Sequence, residues 1–392
     1  MTPAEHRWHS IHVHHHDEPA EPDLVLDAVR PAFEAVGDVI TRGWFGRHWL
    51  RGPHLRLNFL TEPADWERTV RPTVTGLMEA YLREHPSRAR LDEAELEPVH
   101  RRLALLEMEP GPVRPWIPDN TVREQPYDHR LPVLGSMRAS ELLADFLGDT
   151  NDMAFRMYAD LRGTAALPVL ALDLMWTTVA ATAIPFRRDE APIARGILSL
   201  RSHADAFLSR TRDPDAYRER FDERYRRQRP ALAARLGAVE ATLAGTAPDG
   251  AAVPFVAEWA EMVRRHQRAA HPLLASGEMS MRGAAVAPRM PTRQLSAFHR
   301  LLRSGHGHED FVTDDQWFAS FRLVVNYLYV HLNRMGLKPV DRALLCHLAA
   351  RTVETVHAVS AADAFERYVM SAPGDEEPEW ARLGAEWADE AH

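Results

Sequence analysis

The chain has 392 residues, a formal net charge of −9 and a hydrophobic content of 45%. That length is enough for one large core or two fused ones, and the hydrophobic share is ordinary for a globular protein. The acidic balance excludes a general nucleic-acid binder, which needs a basic surface to neutralise phosphates.

The polar, His-rich start carries no signal peptide, so a soluble cytoplasmic protein is expected. In RWHSIHVHHHD, Trp8, Ser10 and His12 alternate with His9, Ile11 and Val13, which suits a strand. His9, His12, His14, His15 and His16 raise the idea of a metal site. Consecutive strand residues face opposite ways, however, and no glutamate or cysteine pattern completes a ligand set, so no metal is expected. Asp23–Val36 reads as a helix with Asp23 as N-cap, Gly37 beyond its end and Pro31 placed to kink it.

Trp44–Phe59, WFGRHWLRGPHLRLNF, has two aromatic and basic runs around Leu50-Arg51-Gly52-Pro53, which reads as a turn. In the second run His54, Arg56 and Asn58 alternate with Leu55, Leu57 and Phe59. Period two gives one apolar face and one carrying an imidazole, a guanidinium and an amide. Such a face can present donors to a ligand; a solvated hairpin face is the plainer alternative. A helix through Trp66–Glu84 follows. Residues 1–90 therefore read strand–helix–strand–strand–helix, a ferredoxin-like sheet module, and 91–392 read as a large, mostly helical body. The fold class is α+β.

In that body, helices are expected at Ala94–Met108, Ser140–Arg162, Leu167–Ile184, Ile193–Phe207, Asp215–Leu243, Phe255–Ala270, Thr292–Ser304, Asp314–Met335 and Val340–Val359. Pro230 should break the fifth of these. Leu167–Ile184 is the most apolar run, but Asp173 interrupts it, so it reads as a core helix and not a membrane span. Arg187–Arg235 is rich in arginine. It is either a solvated face with ion pairs such as Glu223 with Arg227, or a dock for an acidic peptide. Ala275–Pro291 is irregular and a candidate mobile loop.

On the last long helix Thr313-x-x-Gln316 is a capping-box pattern and Gly336 suits the end. Tyr327 and His331, four apart, share a face, and Tyr329 points elsewhere. In a helix otherwise apolar these are either satisfied core groups or usable hydrogen-bond donors. Lys338, the only lysine, sits beside Pro339 and is discounted for Schiff-base chemistry. Cys346, the only cysteine, excludes an intrachain disulfide and reads as a buried inert thiol. No Gly-rich phosphate loop, flavin motif or metal spacing is visible, so no cofactor is expected.

Two segments carry a resemblance. WF-x-R-x-W followed by GPHLRLN, and YLYVHLNRMGL at Tyr327–Leu337, resemble the C-terminal domain of lantibiotic dehydratases and its stand-alone thiopeptide relatives. Glutamate-eliminating members use two arginines on the HLRLR strand, a Glu and an Arg in a YxxExxRYGG-like segment, and a histidine four before the Asn of HxxxNR. Here Arg56 matches the first arginine, Asn58 stands at the second, and Tyr329 stands at the histidine position with His331 nearby. Tyr127–Gly135, YDHRLPVLG, does not bring the Glu and Arg into register.

The resemblance therefore implies the branch that has lost elimination, the thiopeptide pyridine synthases. These perform a formal [4+2] aza-cycloaddition of two dehydroalanines, followed by loss of water and leader peptide. Bond formation there needs proximity, orientation and polarisation of one amide more than a strong base. Tyr327, Tyr329 and His331 are the expected catalytic donors, with Glu107 as proton shuttle. His54, Arg56, Asn58, Arg47, Trp49, Arg224 and Arg227 are expected to bind the peptide: the leader on the 1–90 module and the Arg187–Arg235 helices, the core in a cleft between the hairpin and the C-terminal helix that the 91–392 body completes. The implied partner is a precursor peptide with a leader and an azole- and dehydroalanine-bearing core; other biosynthetic enzymes or a homodimer are compatible, whereas nucleic acid and membrane are not expected. The alternatives are a glutamate-elimination lyase and a non-catalytic leader-recognition subunit.

Overall fold

Strands form where the period-two patterns lie: β1 (Arg7–His14), β2 (Arg42–His48) and β3 (His54–Thr61). A fourth strand, β4 (Thr121–Gln125), has no such pattern and pairs with β1. All pairings are antiparallel and the order is β2-β3-β1-β4, the ferredoxin-like arrangement. The computed structural model describes residues 6–109, 111–183, 192–280, 300 and 316–361. Arg187, residues 281–291 of the irregular loop, Thr313 and all but Arg300 of the helix expected at Thr292–Ser304 lie outside them.

Register sorts the strand residues by parity. Ile11 faces Leu57, Val13 faces Leu55, and Phe45 lies opposite Leu57 from the other side. All are almost fully buried, as is Phe59, whose ring lies 4.8 Å from Phe33. Burying each such side chain stabilises the fold by about 1.5–3 kcal/mol. Phe33 belongs to α1 (Arg30–Val36), and Val74 and Met78 of α2 (Arg71–Glu84) are buried with it in this unit's core. Both helices follow a wide π-type turn, Val25–Val29 and Trp66–Val70, and each has its proline, Pro31 or Pro72, just after that turn. The widened turn accommodates a residue that has no amide to donate.

Asp92 caps α3 (Glu93–Glu107) by accepting from the Ala94 and Glu95 amides. The run Ser140–Arg162, expected as one helix, is two: α4 (Met137–Asp149) and α5 (Asn151–Leu161). At the break the Thr150 hydroxyl bonds the Phe146 carbonyl (2.7 Å), competing with the helical ladder.

The chain divides into two compact units: 1–164 with 333–336, and 165–332 with 337–392. In the second, α6 (Leu167–Thr182) is buried nearly all round. Its Asp173 is held by a bidentate Arg235 at 2.8 and 2.6 Å. The unit continues with α7 (Pro192–Leu208), α8 (Pro214–Leu243), α9 (Val256–Ala275), most of α10 (Gln316–Arg334) and α11 (Pro339–Val356). Helix α8 runs through Pro230, contrary to expectation. Pro230 is exposed, so the carbonyl it leaves unpaired has access to water. Among the described residues no helix is long and apolar enough to cross a membrane.

The turn after α10 belongs to the first unit. The Arg334 carbonyl accepts from the Tyr158 hydroxyl (2.7 Å). The Arg334 guanidinium donates to the Leu147 carbonyl (3.2 Å) and the Thr150 hydroxyl (2.9 Å) and lies over the Phe45 ring. Burial pushes this guanidinium down to about 9. Gly336 has φ +90°, and a Cβ there would meet the Arg47 guanidinium at 2.9 Å. Residues 333–336, near the end of the second motif, thus lie in the same unit as the first motif.

Candidate active site

The polar face of the sheet carries His48 on β2, His54, Arg56 and Asn58 on β3, and Trp8, Ser10, His12 and His14 on β1. The face is layered. At one end Tyr127 stacks on Trp8 at 4.8 Å and meets Trp44 edge-on. In the middle Ser10 donates to the Asn58 side-chain oxygen (2.8 Å), and Arg56 pairs with Asp128 (3.2 Å). At the other end the imidazoles pack together, His54 lying 4.7 Å from His12, 4.6 Å from His14 and 5.5 Å from His48.

These imidazoles are neutral. Burial pushes His12 down to about 2 and His14 and His48 down to about 4, with the Arg56 charge adding to the effect on His12 and His48. Burial and neighbouring cations hold His54 well below its usual range. Their partners assign the protons. His54 donates from Nδ1 to the Gly52 carbonyl (2.8 Å) and accepts at Nε2 from Arg56. His48 is the other tautomer: Nδ1 accepts the Leu50 amide (3.1 Å), so Nε2 carries the proton and donates to Glu109 (3.1 Å). His14 is fully buried, and neither ring nitrogen has a hydrogen-bond partner among the described residues.

Glu109 reaches this end because α3 stops at Met108, a non-glycine residue in the left-handed region (φ 51°). Burial works to raise the Glu109 carboxyl, but the His48 N–H and the Arg130 and Arg56 guanidinia hold it below the usual carboxylate range. Arg130, also left-handed, lies 3.5 Å from Glu109, and its amide is fixed by Asp128. Glu107 accepts from the Trp49 indole N–H (3.0 Å). Ligand atoms of His48, Glu107 and Glu109 lie within 4.8 Å of one another, close enough for a small cation by distance. The tautomer argues otherwise, since His48 Nε2 is a donor and offers no lone pair.

The structure therefore brings together His54, Arg56 and Asn58 and, next to them through His48, Trp49 with Glu107. Arg47 lies on the opposite face, paired with Glu21 (2.7 Å) and Glu18 (3.2 Å). Tyr327, Tyr329 and His331 belong to the second unit and are buried. There the Tyr329 hydroxyl contacts His203 Nδ1 (3.0 Å) and Cys346 (3.3 Å), and the His331 ring packs 4.7 Å from Trp259. Burial pushes Tyr329 well above its usual range and Cys346 up to about 11. Arg224 and Arg227 are exposed on α8, the latter 3.7 Å from Glu223. Sequence reasoning missed His12, His48, Glu109, Asp128 and Arg130 as site residues. Parity from His54 across the hairpin would have found His48, and the YDHRLPVLG segment held Asp128 and Arg130 in plain view.

Residues 8–353 match the family described as lantibiotic biosynthesis dehydratase C-term. The structure is similar to that of TbtD, a pyridine synthase from thiomuracin biosynthesis. The TM-score is 0.72 and the identity 36%, over 90% of this chain and 100% of that one. It is also similar in fold to TsrL, with a TM-score of 0.68 and 22% identity over 94% of this chain and 100% of that one. No curated protein sequence matches the chain.

Proposed function

Since the chain belongs to the lantibiotic dehydratase C-terminal family, we propose that it is a thiopeptide pyridine synthase. It joins two dehydroalanines of a modified precursor peptide by a formal [4+2] aza-cycloaddition, then expels water and the leader peptide to leave a central pyridine. The observation that carries this reading is the 36% identity to a pyridine synthase spanning the whole of that chain.

The geometry of the sheet face supports the same reading. Elimination of glutamate calls for free cations to hold the glutamyl carboxylates. Here the one arginine of β3 is already matched by Asp128, and Asn58 stands where a second would be, tied to Ser10. Cycloaddition instead needs two alkenes held in register and one amide polarised, which a walled surface with fixed donors can supply. Arg56 is the proposed donor on this face; Tyr327, Tyr329 and His331 are buried in the second unit, Tyr329 with its hydroxyl already engaged, and are given no substrate contact. A carboxylate at the end of α3 carries protons in the later losses. His54, Asn58 and Trp49 contact the core peptide, and the exposed Arg224 and Arg227 meet the leader. The work is done in the cytoplasm, on peptide delivered by other biosynthetic enzymes.

Mass spectrometry of two incubations tests the assignment. From a leader-bearing azole peptide with two dehydroalanines, loss of water and release of leader is expected. From its glutamylated-serine precursor, loss of glutamate would make the protein an elimination lyase. Binding of either without a mass change would make it a recognition subunit.

A further inference from the structure

The carboxylates at the end of α3 are not equivalent. Glu107 leans on Trp49, an indole that donates and does nothing more. Glu109 is almost wholly enclosed, its side chain 5% exposed, and is anchored through one oxygen. His48 donates to Oε1, and Arg130 is 3.5 Å from the same atom. No described residue donates to Oε2. One oxygen is fixed and the other left for a proton from elsewhere, which is the arrangement a general base requires. His48 is itself fixed by the Leu50 amide at 3.1 Å, so it can neither turn nor exchange its tautomer without losing that bond.

We infer that Glu109, positioned by His48, is the proton carrier of this site. The inference rests on the pyridine-synthase reading. Glu109 Oε2 takes the proton from the nitrogen of the reacting amide and returns it to that amide's oxygen, giving the hydroxyl-bearing azadiene with no net change of charge. Cycloaddition then forms two carbon–carbon bonds without proton transfer. In the later eliminations Oε2 accepts a ring proton, first from the CH2 beside the C=N and then from the CH2 beside the carbon that bears the leader nitrogen. The departing bond, C–OH first and then the C–N bond to the leader carboxamide, breaks towards the leaving group, which takes that proton. Glu109 begins and ends as carboxylate, and no oxidant or further reactant is consumed. His48 stays neutral throughout as a positioning residue whose N–H fixes the carboxylate.

The test uses the full chain and a leader-bearing peptide with two dehydroalanines. Single-turnover pyridine formation is followed by mass spectrometry and peptide affinity by fluorescence anisotropy. E109Q should lower the rate about 100-fold or more with affinity within about threefold of wild type, and E109D should recover part of the rate. H48A should slow the reaction about tenfold, and H48Q, whose side-chain amide can still donate to Glu109, should restore most of it. An E109Q rate within about threefold of wild type overturns the assignment, as does equal loss in H48A and H48Q. If E109Q does not fold, judged by thermal melting, the His48 pair decides. A wild-type protein that binds the peptide and leaves its mass unchanged overturns the pyridine-synthase reading itself. An active wild type with an active E109Q overturns only the role of Glu109.

Discussion

On one face of the sheet Ile11, Val13, Phe45, Leu55, Leu57 and Phe59 lie in the helix-covered core. One residue along each strand, His14, His54 and Asn58 are buried almost as deeply on the other face. The first set gains free energy simply by leaving water. The second costs free energy unless each polar atom finds a partner. Ser10 with Asn58, His54 with Gly52 and Arg56 with Asp128 offset most of that cost, but neither ring nitrogen of His14 has a partner among the described residues. A face kept at such expense is where chemistry is expected, because selection for stability alone would replace it with leucine.

Acid should separate the faces most. His14 and His48 are held at about 4 in the folded state, against about 6.5 in the unfolded chain. As pH falls below about 6.5 the unfolded chain binds protons that the folded one refuses, so stability drops by about 1.4 kcal/mol per pH unit for each imidazole, until about pH 4. The apolar face adds nothing to that slope. Urea midpoints at pH 7.5, 6 and 5 measure it, and a midpoint independent of pH would mean these rings are solvated and bind protons as they do in the unfolded chain.

Next in size is Phe45→Ala, which should cost about 3–5 kcal/mol through the cavity left between Phe155 and Arg334. Thermal melting reads this directly, and a loss below about 1 kcal/mol would show that the site collapses around the gap. Arg56→Ala should fall mainly on activity: about 100-fold lower turnover, with a stability loss of about 1–3 kcal/mol, because Asp128 can turn to solvent but the buried His54 Nε2 loses its donor. Wild-type turnover would reduce the hairpin to plain structure. The smallest effect is expected from His14→Leu, a gain of about 1–2 kcal/mol from removing unmatched polar atoms. A loss of stability instead would mean the imidazole nitrogens are satisfied by water.

Much of this was legible. Period-two runs marked β1 to β3, and apolar spacing marked most helices, because both reflect burial of one face. β4 was not, because TVREQ is short and polar and is a strand only through its pairing with β1. Nor was the break at Thr150, whose cause includes Arg334, a residue 184 positions away. Within the site, the hairpin alternation gave His54, Arg56 and Asn58. The same rule puts Arg47 with Phe45 and Leu55, and the structure agrees. Glu109 and Arg130 were hidden because left-handed backbone at Met108 and Arg130 aims them, and neither residue type announces that conformation.

The turn at 333–336 has a consequence for biosynthesis on the ribosome. Arg334 completes hydrogen bonds to Leu147 and Thr150, which emerge 187 and 184 residues earlier. At about 5–20 residues per second the nascent first unit waits roughly 10–40 s for its last turn. Until then the Leu147 carbonyl and the Tyr158 hydroxyl lack their mature partners. A fragment ending at Thr164 stays permanently in that state, so the sheet module is finished only by a chain that has already made most of the helical body.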